Sequence, residues 1–110
     1  MKTQITLSKA IEGYLLAAKA RHLSQNTIND YLNTFRKFIN YLDDDPPITE
    51  ISAKKITTFL GCQEVSNKTI LNYHTGLSAL WTWALDNGIV EVQIMHKIKR
   101  AKPEKRSITP

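Results

Sequence analysis

The chain has 110 residues, 42% hydrophobic and 23% charged, with a net charge of +5, the profile of one soluble globular domain large enough to bury a single core. No apolar run approaches the roughly 20 residues that cross a bilayer, and no apolar h-region follows Met1-Lys2-Thr3-Gln4, so neither a membrane partner nor a secretory signal is expected. Cys62 is the only cysteine, which excludes an intrachain disulfide and suits a reducing, cytoplasmic setting.

Thr6 or Ser8 can cap a first helix whose stripe is Leu7, Ile11, Tyr14, Leu15 and Ala18. The stripe fades near Arg21-His22-Leu23. Ser24 then caps a second helix with Ile28, Tyr31, Leu32, Phe35, Phe38, Ile39 and Leu42 on one face, spacings that match the helical period. Asp43-Asp44-Asp45-Pro46-Pro47 stops it, because acids oppose the dipole at a helix C-terminus and proline disfavours helix in the residue before it. Ile48 to Ile51 reads as a short extended connector.

Ser52 caps a short third helix with Ile56, Phe59 and Leu60 inward, ending near Gly61. Ser66 or Asn67 caps the fourth, with Ile70, Leu71, His74, Leu77, Leu80, Trp81, Ala84 and Leu85 on its buried side. Asp86-Asn87-Gly88 closes it, with Gly88 suited to the left-handed position after a helix. Ile89 to Ile98 holds one more turn or a short fifth helix. No alternating strand pattern with hairpin chemistry appears. The expected fold class is therefore all-α, a four-to-five-helix orthogonal bundle over residues 1–98, followed by a basic linker over 99–110.

The second and fourth helices open on one pattern, 42 residues apart: Ser24-x-x-Thr27-Ile28-x-x-Tyr31 and Ser66-x-x-Thr69-Ile70-x-x-Tyr73. Free N–H groups and the dipole make helix N-termini suited to phosphate, so two such ends are positioned to serve one extended anionic ligand. Asn26, Asp30, Asn67, Lys68 and Asn72 lie off the apolar stripes beside Gln25, Asn29 and Asn33. Asn and Gln read adenine edges or bond phosphate, and Lys contacts phosphate or guanine. Thr27 and Thr69 can donate hydroxyls. Tyr31 and Tyr73 fall on the stripe edge, where a buried ring leaves its hydroxyl at the surface. Capping alone also explains Ser24, Thr27, Ser66 and Thr69.

Charge is uneven. Residues 1–96 sum to zero, whereas residues 97–110 carry six Lys/Arg against Glu104. Lys97, Lys99, Arg100 and Lys102 make that end a polyanion contact or a solvated tail.

Catalytic constellations are missing. His22, His74 and His96 are scattered, with no i, i+4 partner and no neighbouring cysteine, so no metal is expected. Asp43 to Asp45 lack the glycine and glutamate of a calcium loop, and four glycines make no phosphate loop. No cofactor is expected, and no activity for this stretch alone. Two readings remain, a DNA-binding module and a helical protein–protein interaction module.

The ordered set of motifs resembles the N-terminal core-binding domain of tyrosine recombinases, the phage-integrase family. The resemblance rests on His22-Leu23-Ser24-Gln25-Asn26-Thr27-Ile28 through Tyr31, Phe35, Phe38 and Leu42, then Ile51 to Leu60, then Ser66 to Ile89, with Leu77-Ser78-Ala79-Leu80-Trp81-Thr82-Trp83-Ala84 the best-matching run. Where many members carry Asn-Pro after the fourth helix, Val92-Gln93 stands here. The resemblance implies a SAM-like helical domain forming half of a clamp on double-stranded DNA, used in DNA integration and recombination by a bacterial or phage-encoded, nucleoid-associated enzyme. The polar starts of the second and fourth helices would face the major groove, and Lys97 to Lys102 would lie along the DNA as interdomain linker. It also implies a C-terminal catalytic domain in the same parent chain, which supplies the arginines, histidine and nucleophilic tyrosine, and other recombinase protomers assembled on the site. Ile108-Thr109-Pro110 looks like the opening of that next domain.

Overall fold

The computed structural model describes residues 5–99. They form four helices: α1 (Leu7–Ala20), α2 (Gln25–Leu42), α3 (Ala53–Gly61) and α4 (Asn67–Asp86). Two 3-10 turns, Ile48–Glu50 and Ile94–Lys97, stand where the connector and the possible fifth helix are expected. Among the described residues the only strand-like feature is a single antiparallel bridge, Thr6 to Pro47.

Local chemistry fixes the helix starts. In each case a hydroxyl oxygen three residues upstream accepts an otherwise orphaned N–H: Thr6 from Lys9, Ser24 from Thr27, Ser52 from Lys55 and Ser66 from Thr69. The ends of α1 and α4 are Schellman motifs. Gly88 takes φ 72° after α4, with its N–H on Leu85 O and that of Ile89 on Ala84 O. His22 takes φ 61° after α1, with its N–H on Lys19 O and that of Leu23 on Ala18 O. Gly61, by contrast, is the last residue inside α3, and Cys62 follows it as the cap.

The acidic run after α2 has a use that its own helix does not show. Asp43 ends α2 in the left-handed conformation, φ 54°. Asp45 crosses to the start of α1, where Oδ1 accepts the Ser8 N–H at 2.8 Å and Oδ2 accepts the Ser8 hydroxyl at 2.6 Å. An acid misplaced for the α2 dipole is thereby well placed for that of α1. Partial desolvation works against ionisation, but the bonds from the Ser8 side chain, the Ser8 N–H and Thr6 outweigh it and hold the Asp45 carboxyl below its ordinary value.

A carboxyl with a depressed folded pKa stabilises above the unfolded value of about 3.9 and stops doing so as pH falls through the folded value. Asp45→Asn is therefore expected to cost about 0.5–1.5 kcal/mol at pH 7, a cap-sized loss, and progressively less as acid protonates the Asp45 carboxyl of the parent chain in its unfolded and then its folded state. Paired urea melts at pH 7 and pH 2.5 check this; a gap of equal size at both pH values contradicts it.

α2 and α4 share the most extensive interface, with α1 laid across both and α3 and the Ile94–Lys97 turn closing the other side of α4. Trp81, Phe35, Phe38, Phe59, Leu7, Ile56, Leu77 and Leu80 are fully buried, joined by Ile48 and Met95 from the two 3-10 turns. Leu85, expected inside, is 38% exposed, because it lies about 100° round the helix from the fully buried Ala84, at the margin of the inward face; Leu71 is half-buried. Trp83 is also half-buried and packs edge-on against Tyr14, with ring centroids 6.4 Å apart.

Gly13 makes room for that indole: a Cβ there would stand 2.6 Å from Trp83 Cη2 and 2.9 Å from Cζ2. Gly76, where α4 crosses α2, is less constrained, with Tyr31 Cδ1 at 3.4 Å as the nearest neighbour of such a Cβ. Alanine gains about 1 kcal/mol over glycine in a helix interior, and overpacking costs typically 1–3 kcal/mol. Gly76→Ala is thus expected to be neutral or stabilising, and Gly13→Ala destabilising by about 1 kcal/mol. Equal shifts of the same sign in denaturant melts would contradict the packing difference.

Candidate nucleic-acid interface

The two Ser-x-x-Thr starts are built alike. Ser24 Oγ accepts the Thr27 N–H at 3.2 Å and donates to Thr27 Oγ1 at 2.9 Å. Ser66 Oγ accepts the Thr69 N–H at 3.3 Å and lies 3.2 Å from Thr69 Oγ1. Because Thr27 Oγ1 accepts from Ser24, its own hydroxyl hydrogen is left to point outward. Asn26, Asp30, Asn67, Lys68 and Asn72 are all exposed.

The structure does not bring the two starts together. Thr27 and Tyr31 line one groove with Thr75, Ser78, Thr82 and Asp86, so the beginning of α2 lies along the second half of α4. Tyr73, two turns into α4, instead meets Phe59, which also meets Phe38 and Tyr41 near the end of α2. The helices therefore run antiparallel, and their N-terminal turns stand at opposite ends of the pair, separated by about a helix length of 25–30 Å. A ligand that reaches both must itself be that long.

Tyr73 and Tyr31 part company. The Tyr73 ring is 4% exposed and stacks on Phe59 at 6.0 Å, so it belongs to the core and does not offer the surface hydroxyl expected of it. Tyr31 is half-buried and keeps a place in the groove, its ring 6.2 Å from that of Tyr14. Burial first, then the neighbouring Tyr31, raise the Tyr14 phenol above its ordinary value, with Arg21 partly opposing them. The Tyr14 hydroxyl consequently stays protonated at neutral pH.

A polar ladder on α4 was not legible in the sequence. His74 is buried, as its place on the inward side of the helix implies, but its polar partners could not be read: its Nε2–H donates to Ile98 O at 3.0 Å, and its Nδ1 faces Ser78 Oγ at 3.4 Å. Gln93 Nε2 donates to Ser78 O and Thr82 Oγ1 at 3.1 and 2.8 Å, while its Oε1 accepts the Met95 N–H at 3.0 Å. His74, Ser78 and Thr82 recur at i, i+4 and i+8, one line along the helix. Together they tie residues 93–98 to α4 and fix where Lys97 and Lys99, both exposed, leave the bundle. Gln93 thus caps the last turn where Asn-Pro stands in many members of the resembled family. Arg100 and Lys102 lie outside the described residues.

Among the described residues no three His, Cys, Asp or Glu side chains gather as metal ligands, and no helix is long and apolar enough to cross a membrane.

Most of α1, all of α2, α3 and α4 with their serine caps, and the aromatic core lie within the stretch matched by a family model. The model of the phage integrase N-terminal SAM-like domain matches residues 11–91. The chain belongs to the phage integrase family. Solved structures that resemble this integrase domain include an integrase from mycobacterium phage Brujita, with TM-score 0.77 and 23% identity over 91% of this chain and 34% of that one. A lambda integrase dimer bound to a COC′ core site matches with TM-score 0.81 and 21% identity over 94% and 30% of the respective chains. The N-terminal domain of a phage integrase/site-specific recombinase from Haloarcula marismortui matches with TM-score 0.79 and 13% identity over 90% and 99%. At these identities the likeness is one of fold, all-α and SAM-like. This chain spans about a third of the Brujita and lambda integrase chains. Comparison with curated proteins returns no match.

Proposed function

We propose that this integrase domain grips duplex DNA through the exposed polar faces of α2 and α4, as one half of a clamp completed by a catalytic domain of the same parent recombinase. The observation that carries this reading is the placement of two identically capped, polar helix starts at opposite ends of one antiparallel pair. Their spacing of about 25–30 Å suits phosphates nearly a helical turn of B-DNA apart, about 34–36 Å, rather than a small ligand. Family membership and the DNA-bound state of the lambda integrase of the same fold support it.

In this reading Ser24, Asn26, Thr27, Asp30 and Tyr31 meet one side of the site, and Asn67, Lys68, Thr69 and Asn72 the other. Lys97, Lys99, Arg100 and Lys102 neutralise phosphates along the exit path. Asp30 repels phosphate, and its productive contact is with a base amino group, since an acid accepts from cytosine N4. The arginines, histidine and nucleophilic tyrosine that cleave DNA come from the rest of the parent protein, and other protomers join on the site.

Residues 1–96 are neutral in sum, so this domain binds weakly by itself, at about 10⁻⁴–10⁻⁶ M, with a salt slope well short of the roughly −10 of a strongly electrostatic binder. The Asn26→Ala, Lys68→Ala double variant is expected to weaken binding several-fold in fluorescence anisotropy without lowering the melting temperature. Loss of stability in that variant, with no DNA binding by the parent domain, would favour a protein–protein interaction module instead.

A further inference from the structure

The outer face of α2 carries more than the residues at its start. Asn26, Asn29, Asn33 and Asn40 are all exposed and, at 100° per residue, fall within about 60° of arc. They span about 21 Å along the axis at 1.5 Å per residue. Lys37 borders the stripe on one side and Arg36 on the other, both exposed. Asparagine is a poor helix former because its side chain competes for backbone hydrogen bonds. Four on one solvent face work against helix stability, and capping explains none of them, since Ser24 caps the helix.

We propose that Asn26, Asn29 and Asn33 form an adenine-reading surface that gives this domain a preference for A·T pairs in the major groove. The inference rests on the DNA-binding function proposed above and names the base class read there. A carboxamide offers an acceptor and a donor side by side, which matches the N6 amino group and N7 of adenine and no other single base edge in the major groove. Gln25 Nε2 donates to Asn29 Oδ1 at 3.0 Å, which orients that amide; the second lone pair of Oδ1 and the Nδ2 hydrogens stay available. Arg36 and Lys37 stand one turn further on and hold the flanking phosphates. Asn40 lies toward Asp43 and Asp44, both exposed, whose charges keep the phosphate backbone away, so the reading surface ends near Asn33.

The test uses the 110-residue chain and three 20-base-pair duplexes in anisotropy titrations at 50 mM salt. One duplex is rich in A·T pairs, one in G·C pairs, and the third repeats the A·T sequence with 7-deazaadenine, which removes the N7 acceptor while keeping Watson–Crick pairing. The A·T duplex is expected to bind about tenfold more tightly than the other two, the scale of one bidentate base contact. Asn29→Ala, Asn33→Ala is expected to erase that preference, bringing the ratio of A·T to G·C affinity to about one; both changes raise helix propensity, so folding is not at risk. Binding without preference, or a preference that survives 7-deazaadenine or the double variant, overturns the inference and leaves DNA binding standing. Absence of binding to every duplex overturns both.

Discussion

Phe59→Ala is expected to lower the melting temperature by roughly 15–25 °C. Removing a buried phenylalanine costs about 3–5 kcal/mol, and a domain of this size loses about 4–8 °C per kcal/mol. Phe59 belongs at the upper end for a structural reason. α3 has nine residues, too few to hold a helix in water without docking. Phe59 makes the dock: its ring lies 5.0 Å from Phe38, 5.4 Å from Tyr41 and 6.0 Å from Tyr73, and its carbonyl accepts from Cys62 and Gln63 as the helix ends. One truncation therefore loosens α3, the end of α2 and the front of α4 together. A thermal melt reads it directly; a loss below about 5 °C would show that the aromatic cluster does not join these three helices.

The second large effect falls on binding. Replacing Lys97, Lys99, Arg100 and Lys102 with glutamine is expected to flatten the log–log salt slope for duplex DNA by about 3–4, at roughly 0.9 per phosphate contact. Affinity at 50 mM salt then falls at least about a hundredfold, while the melting temperature holds, since Lys97 and Lys99 are exposed and support nothing in the core. The magnitude follows from where the charge sits: residues 1–96 sum to zero, and residues 97–110 carry the excess. The ladder of His74, Ser78 and Gln93 gives these side chains a fixed departure point from α4, which favours a defined path over diffuse attraction. An unchanged slope would move the phosphate contacts onto the helices and leave this segment a passive connector.

Much of this architecture is legible in the residues. Every α-helix start falls one residue after a candidate cap, with Thr6 rather than Ser8 and Ser66 rather than Asn67 in that place, and Gly88 takes its predicted left-handed position. The apolar stripes of α2 and α4 place Phe35, Phe38, Leu77, Leu80 and Trp81 in the core as spaced. What resisted reading lies where a partner distant in sequence decides. Asp45 looks like a helix stop, and its carboxylate caps α1, 37 residues away. Tyr73 looks like an edge residue until α3 folds over it. His74 and Gln93 look unremarkable singly, because their partners lie 24 and 15 residues off along the chain.

The repeated Ser-x-x-Thr-Ile-x-x-Tyr pattern divides along the same line. The amino-acid sequence by itself determined that two helices begin alike, because a cap and a first turn are settled within four residues by side chains reaching their own backbone. Only the tertiary structure decided that these beginnings point to opposite ends of an antiparallel pair, and that one tyrosine of the repeat faces a groove while the other is buried. A helical stripe states which face goes inward and leaves open which element meets it and in which direction. That choice is made by the packing of α1, α3 and the two 3-10 turns around α2 and α4, where the free energy of burial is shared among residues far apart in the chain.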